Sequence, residues 1–122
     1  MIEGVVNAAQ EAVVPLTVSG PAGVRREIEA IIDTGFGGFL TLPSELVTDL
    51  GLSFEGIGRA TLGDGSAIVF PYYDVAVLWE GEPRFGLADE ADTTPLIGMS
   101  LLANHNLYVE VEEGGRVVIE AR

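Results

Sequence analysis

Asp33, Thr34 and Gly35 stand between an apolar run and a glycine-rich turn in the stretch AIIDTGFGGFLTLP, residues 30–43. A carboxylate is costly to bury unless hydrogen bonds or a shared proton compensate it. The two residues that follow can supply this. Gly35 lets a backbone N–H approach the carboxylate and tolerates positive φ, while the Thr34 hydroxyl can tie the turn to a neighbouring segment. Two readings fit these residues alone. One is an Asx-turn that caps a strand, with Asp33 bonding its own backbone. The other is a carboxyl group placed for acid–base work.

Few other residues offer chemistry. The chain has no cysteine and one histidine, which excludes thiolate catalysis, disulfides and zinc sites built on sulfur. His105 cannot form a histidine-rich metal centre alone and is expected to be structural or at the surface. A serine triad would need that same histidine, and no serine sits in a nucleophile-elbow pattern. Asp89, Glu90 and Asp92 lack the ligand periodicity and closing glutamate of an EF-hand and read as a solvated loop. LGDGS, residues 62–66, has neither a P-loop lysine nor the spacing of a dinucleotide fingerprint, so a hairpin turn is the better reading. No metal and no cofactor are expected.

The elements that must position Asp33 are short. Apolar runs at 12–18 and 24–32 flank the turn residues Gly20, Pro21 and Gly23 and predict a hairpin whose second arm becomes apolar on both faces before Asp33. Such an arm would deliver Asp33 to a buried place. FLTLP predicts a further strand, and PSELVTDLG a two-turn helix with Pro43 in its first turn and Gly51 as its stop. Residues 59–79 read as strands about Asp64-Gly65, a two-residue hairpin signal, with Pro71 marking an edge position. Residues 80–95 predict a strand end and a loop; PLIGMSLLANHNL predicts a buried strand, Gly98 and a short helix; residues 107–121 predict a last hairpin. The total is a mostly β domain with one or two short helices.

A chain of 122 residues, 48% hydrophobic and 20% charged, is long enough to bury one core and far from the disordered class. The apolar runs are too short to span a membrane. The first residues carry Glu3 and Glu11 and no basic n-region, unlike a signal peptide, so a cytoplasmic location is the default expectation. Six arginines, no lysine and a net charge of −13 disfavour nucleic-acid and anionic-membrane partners.

IIDTGFGGFLTLP resembles the active-site loop of clan AA, retropepsin-like aspartic proteases, in particular small stand-alone prokaryotic members. Two further features in the right order add to the resemblance: the hairpin at Gly63, Asp64 and Gly65, where the family has its flap, and PLIGMSLL, similar to the Leu96-Ile97-Gly98 type of element that opens the family's C-terminal helix. The resemblance spans residues 12–120. Phe36 and Gly37 replace the small and acidic pair of retroviral members, and Ser100 stands where related prokaryotic sequences often carry an acid.

The resemblance implies a single domain, residues 1–122, with the closed β-barrel or sandwich of the acid-protease fold, acting as an aspartic endopeptidase. Peptide hydrolysis by carboxylates needs one group to accept a proton from water while another donates one, and a single Asp-Thr-Gly is half of that pair. The resemblance therefore implies a homodimer in which Asp33 meets its copy, Thr34 locks the two loops, Gly35 donates its N–H and the flaps close over an extended peptide. Phe36, Leu62, Ile68 and Ile97 are candidates to line substrate pockets, with a place in the core as the alternative for each. The 116–121 strand is a candidate dimer-sheet element, or else an ordinary edge strand. A non-catalytic peptide-binding or scaffold domain of the same fold is the alternative function.

Overall fold

Short apolar runs broken by glycine and proline favour strands, and the computed structural model, which describes Met1–Arg122, contains ten strands and two short helices. In chain order these are β1 (Ile2–Val6), β2 (Ala12–Ser19), β3 (Arg25–Ile32), β4 (Leu40–Leu42), α1 (Ser44–Leu50), β5 (Ser53–Thr61), β6 (Ala67–Trp79), β7 (Glu82–Glu90), β8 (Leu96–Ile97), α2 (Met99–Leu102), β9 (His105–Val109) and β10 (Arg116–Ala121). Six strands close into a barrel in the order β2-β3-β8-β4-β7-β6, with β6 returning to β2 from Thr17↔Leu78 to Ser19↔Ala76.

The length of β6 gives the molecule its projecting ribbon. One edge of β6 pairs with β7 over Tyr72–Trp79, whereas the other pairs first with β5 over Ala67–Asp74 and then with β2. The β5–β6 hairpin therefore extends past the barrel. Pro71 lies just before the first β7 pair, on the stretch of β6 that has a free edge, as expected of a residue that cannot donate to a ladder.

Alternation along each strand fills the barrel. Val14, Leu16, Val18, Ala30, Leu40, Leu42, Val75, Val77 and Ile97 are all at most 3% exposed, and each large apolar side chain so buried contributes about 1.5–3 kcal/mol. Helix α1 adds Val47 and Leu50 to this core. It begins after Pro43 and ends at Gly51, whose φ of 61° lets its N–H reach back to the Thr48 carbonyl.

Two expectations are corrected. Residues 80–95 are not mainly loop: β7 spans Glu82–Glu90 and pairs on both edges, with β6 and β4. Its pattern is hidden because its inward positions hold Arg84 and Gly86 while Phe85 and Leu87 face out. Arg84 is accommodated by donating to the Leu101 carbonyl at 2.7 Å and lying over the Trp79 ring at 5.6 Å. At Gly86 a Cβ would fall 2.5 Å from the Phe39 ring, so the aromatic ring occupies the space a side chain would need. Second, β10 is neither an edge strand nor free to extend a dimer sheet, because β1 and β9 fill its two sides; the outer strand is β9. The N-terminal residues, for which no element was expected, form β1, inserted between β2 and β10.

Arg25, Arg26, Arg59, Arg84 and Arg116 all lie in paired strands, and Arg122 is the last residue. No helix is long and apolar enough to cross a membrane.

Candidate active site

Strand β3 delivers Asp33. Its last residues pair in parallel with β8, Ile31↔Leu96 and Ile32↔Ile97, and the Asp33 N–H extends the ladder by donating to the Ile97 carbonyl at 2.9 Å. The chain then turns. Asp33 Oδ1 accepts the Gly35 N–H at 3.0 Å, and the Asp33 carbonyl accepts the Phe36 N–H at 3.1 Å. This is an Asx-turn, common to both readings of the triplet. Asp33 is half-buried in the single chain rather than buried, because the ladder that carries it ends at the surface. Its carboxylate accepts no other hydrogen bond within the chain, and the exposed Thr34 hydroxyl makes none.

The returning half of the loop is clamped to the segment that follows β8. Met99 N–H donates to the Phe36 carbonyl at 2.8 Å, Ser100 N–H to Gly38 at 3.0 Å and Gly98 N–H to Phe39 at 3.2 Å. Gly98 permits this approach, since a Cβ there would lie 2.1 Å from the Gly38 carbonyl oxygen and 2.7 Å from the Phe36 ring. Leu96, Ile97 and Gly98 thus form the seat of the Asp33 loop, and half-buried Phe36 packs over the contact.

Ile97 does not line a pocket: it is 0% exposed and belongs to the core, because its side chain points into the barrel. Leu62 and Ile68, at 44% and 46%, lie open on the ribbon. The ribbon's turn is also one residue longer than the expected two-residue hairpin. Leu62 N–H bonds Ser66, Gly65 N–H bonds Leu62, and positive φ occurs at Gly65 alone, so Gly63, Asp64 and Gly65 make a three-residue loop. Asp64 accepts from both the Ser66 hydroxyl and the Ser66 N–H, which hold its carboxyl below the usual aspartate range.

The strand period locates residues that sequence reasoning missed. Asp33 stands two residues after Ile31 and so projects to the same, outer face. From Ile31 the ladder runs outward through Leu96, Thr41, Asp89 and Tyr72. The alternate rung, Ile32, Ile97, Leu40, Ala88 and Tyr73, packs on or against the core. The outer rung continues into the ribbon face carrying Tyr72, Phe70 and Ile68, opposite Gly56, Gly58 and Ala60. Asp33 and one face of the ribbon therefore belong to one continuous surface. The residue two before Asp33 was a signal for this; the one-residue offset between Leu96 and Ile97 was not readable before the register was known.

Asp89 was expected in a solvated loop with Glu90 and Asp92. Instead Asp89 and Glu90 end β7, half-buried, and only Asp92 lies in an exposed loop. Burial pushes the Asp89 carboxyl above its ordinary range. His105 is structural, as expected: its Nε2 accepts the Trp79 indole N–H at 2.9 Å and its Nδ1 lies 2.8 Å from the Ala103 carbonyl, so both ring nitrogens have partners within the chain. No group of three or more potential ligating side chains is placed to hold a metal ion.

No protein-family model matches the chain, and no curated protein matches it in sequence. The structure is similar to the crystal structure of a retropepsin-like aspartic protease from Rickettsia conorii, with a TM-score of 0.58 and 15% identity over 99% of this chain and 90% of that one. With its six-strand closed barrel, projecting hairpin and two short helices, the chain has the retropepsin-like fold.

Proposed function

We propose that the protein is an aspartic endopeptidase that acts as a homodimer. The observation that carries this reading is the Asp33 carboxylate, held by one N–H from Gly35 on a loop seated against Gly98, with its remaining hydrogen-bonding capacity and the Thr34 hydroxyl unused within the chain. A second copy related by a two-fold axis would bring Asp33 against its equivalent. Two carboxyls about 3 Å apart, the spacing of known aspartic proteases, cannot both ionise and share one proton. The ionised member takes a proton from water as it attacks the peptide carbon, and the protonated member donates to the carbonyl oxygen. The β5–β6 ribbons would close over an extended substrate, whose backbone pairs with strand edges while its side chains meet the outer-face residues. No metal or cofactor takes part in this scheme. The reaction is expected on the acid side of neutrality, since the shared proton leaves as pH rises.

Replacing Asp33 by Asn tests this. Peptide cleavage should fall by at least about a thousandfold, as when any member of a catalytic pair is removed, while circular dichroism and the dimer mass stay as in the wild type. Full activity in Asp33→Asn would sink the proposal. A protein that binds peptides with Asp33 intact yet cleaves none would instead be a binding domain of the same fold.

A further inference from the structure

We propose that Asp89 is a specificity-determining residue that selects substrates carrying a lysine or arginine side chain a few residues from the cleaved bond. This rests on the endopeptidase reading and names the substrate class for the same surface.

The placement comes from register. Asp89 pairs with Thr41 on one side and Tyr72 on the other, on the outer face that also bears Leu96, Ile31 and Asp33. Three strand spacings of about 4.8 Å and two residues along β3 put its backbone roughly 15 Å from that of Asp33 before barrel curvature shortens the path. An extended peptide covers such a span in about four residues. A lysine or arginine stem reaches several ångströms further, so a side chain two to four residues from the cleaved bond can meet the Asp89 carboxylate.

The surroundings of Asp89 fit a cation and nothing inside the chain. The other half-buried glutamates are engaged: Glu11 with Asn7, Glu90 with Ser44, Glu110 with Tyr108 and the Arg116 N–H. The Asp89 carboxylate makes no hydrogen bond and no ion pair within the chain, although burial penalises its charge. The nearest arginine on the ribbon, Arg59, pairs with Val69 on the ribbon's opposite face. Arg84 points inward to Leu101. Beside Asp89 stand half-buried Tyr72, whose hydroxyl suits the rest of a hydrogen-bonding cation, and buried Thr41, while half-buried apolar Leu96 and Ile31 lie towards Asp33. A carboxylate kept partly desolvated and unpaired gains its partner when a basic side chain arrives.

The test separates binding from cleavage. Asp33→Asn protein is titrated with extended peptides that differ only in Lys, Gln or Glu at single positions two to four residues from the centre, read by fluorescence anisotropy. The Lys peptide should bind about tenfold tighter than the Gln peptide at one such position. The difference should disappear when Asp89→Asn is added and reverse in favour of Glu with Asp89→Lys; Asp92→Asn, in the nearby exposed loop, should leave it unchanged. In parallel, kcat/KM of protein with Asp33 intact should show the same Lys preference, lost in Asp89→Asn. Cleavage without any Lys preference, or a preference that survives Asp89→Asn, overturns the assignment and leaves the endopeptidase reading intact. Asp89-dependent Lys binding without cleavage overturns the endopeptidase reading and leaves the assignment intact.

Discussion

Asp89 gives up hydration without gaining a partner, and that has a thermodynamic signature independent of any substrate. Its pKa in the folded chain is raised above the ordinary value of 3.8 by burial, so the folded state binds the proton more tightly than the unfolded one. The resulting stability is fully present below about 3.8 and is lost as pH rises through the raised value. At neutral pH Asp89→Asn should therefore be more stable than the wild type. After discounting for partial exposure, a gain of roughly 0.5 kcal/mol, or about 2 °C in Tm, is expected. Calorimetry at pH 7 and pH 3 checks this, the gap closing at the lower pH. A stabilising change that removes substrate discrimination is the usual mark of a residue kept for function. At this scale the triplet Asp33-Thr34-Gly35 was legible in the sequence, because a glycine two residues after an aspartate makes the Asx-turn chemistry visible. Asp89 was not, since facing depends on pairing with Thr41 and Tyr72, and those partners lie far away in sequence.

Two elements hold the site and each can be broken at one position. Gly98 lets the segment after β8 approach the Asp33 loop, and a Cβ there meets the backbone oxygen of Gly38 at 2.1 Å, where no flexible side chain can yield. Gly98→Ala should destabilise the chain by about 2–3 kcal/mol and reduce activity beyond what lowered stability explains. Urea titration together with assays far below the unfolding midpoint separates the two effects. The ribbon's turn depends on Asp64, whose lowered pKa reflects the Ser66 hydroxyl and N–H. That support is present above the ordinary value of 3.8 and is lost as pH falls through the lowered folded value, so the turn stays fastened in mildly acidic solution. Asp64→Ala should raise the hydrogen-exchange rate of the Ser66 amide severalfold at pH 5, and KM more than kcat. Helix α1, the two-part element β8–α2 and the β2–β3, β5–β6 and β9–β10 hairpins were legible from turn residues and apolar runs. Strand β7 was not: Arg84 inside and Phe85 outside invert the pattern that marks a strand, and only Trp79 and Phe39 explain the inversion.

At the scale of the whole molecule the barrel closes through β6 and β2 while the sheet continues through β1, β10 and β9. That closure was not readable beforehand, since it rests on pairings such as Thr17↔Leu78 between distant segments, and β1 gave no signal of its own. A site completed by a second copy, as proposed, would make activity depend on concentration. Specific activity should rise with protein concentration until the dimer saturates, and adding Asp33→Asn protein in excess should suppress the wild type by forming mixed dimers with one intact carboxylate. A dilution series followed by light scattering and assay would show both. If the protein cleaves near basic side chains as proposed, the distribution of its arginines bears on its own survival. A protease that selects basic side chains threatens any chain that offers them on free, extended backbone. This chain has no lysine, Arg25, Arg26, Arg59, Arg84 and Arg116 are fixed in strand ladders, and the Arg122 N–H donates to the Asn104 carbonyl. On the proposed reading the folded protein should therefore be a poor substrate for other copies, and prolonged incubation at high concentration should leave its mass unchanged while unfolded copies are cut.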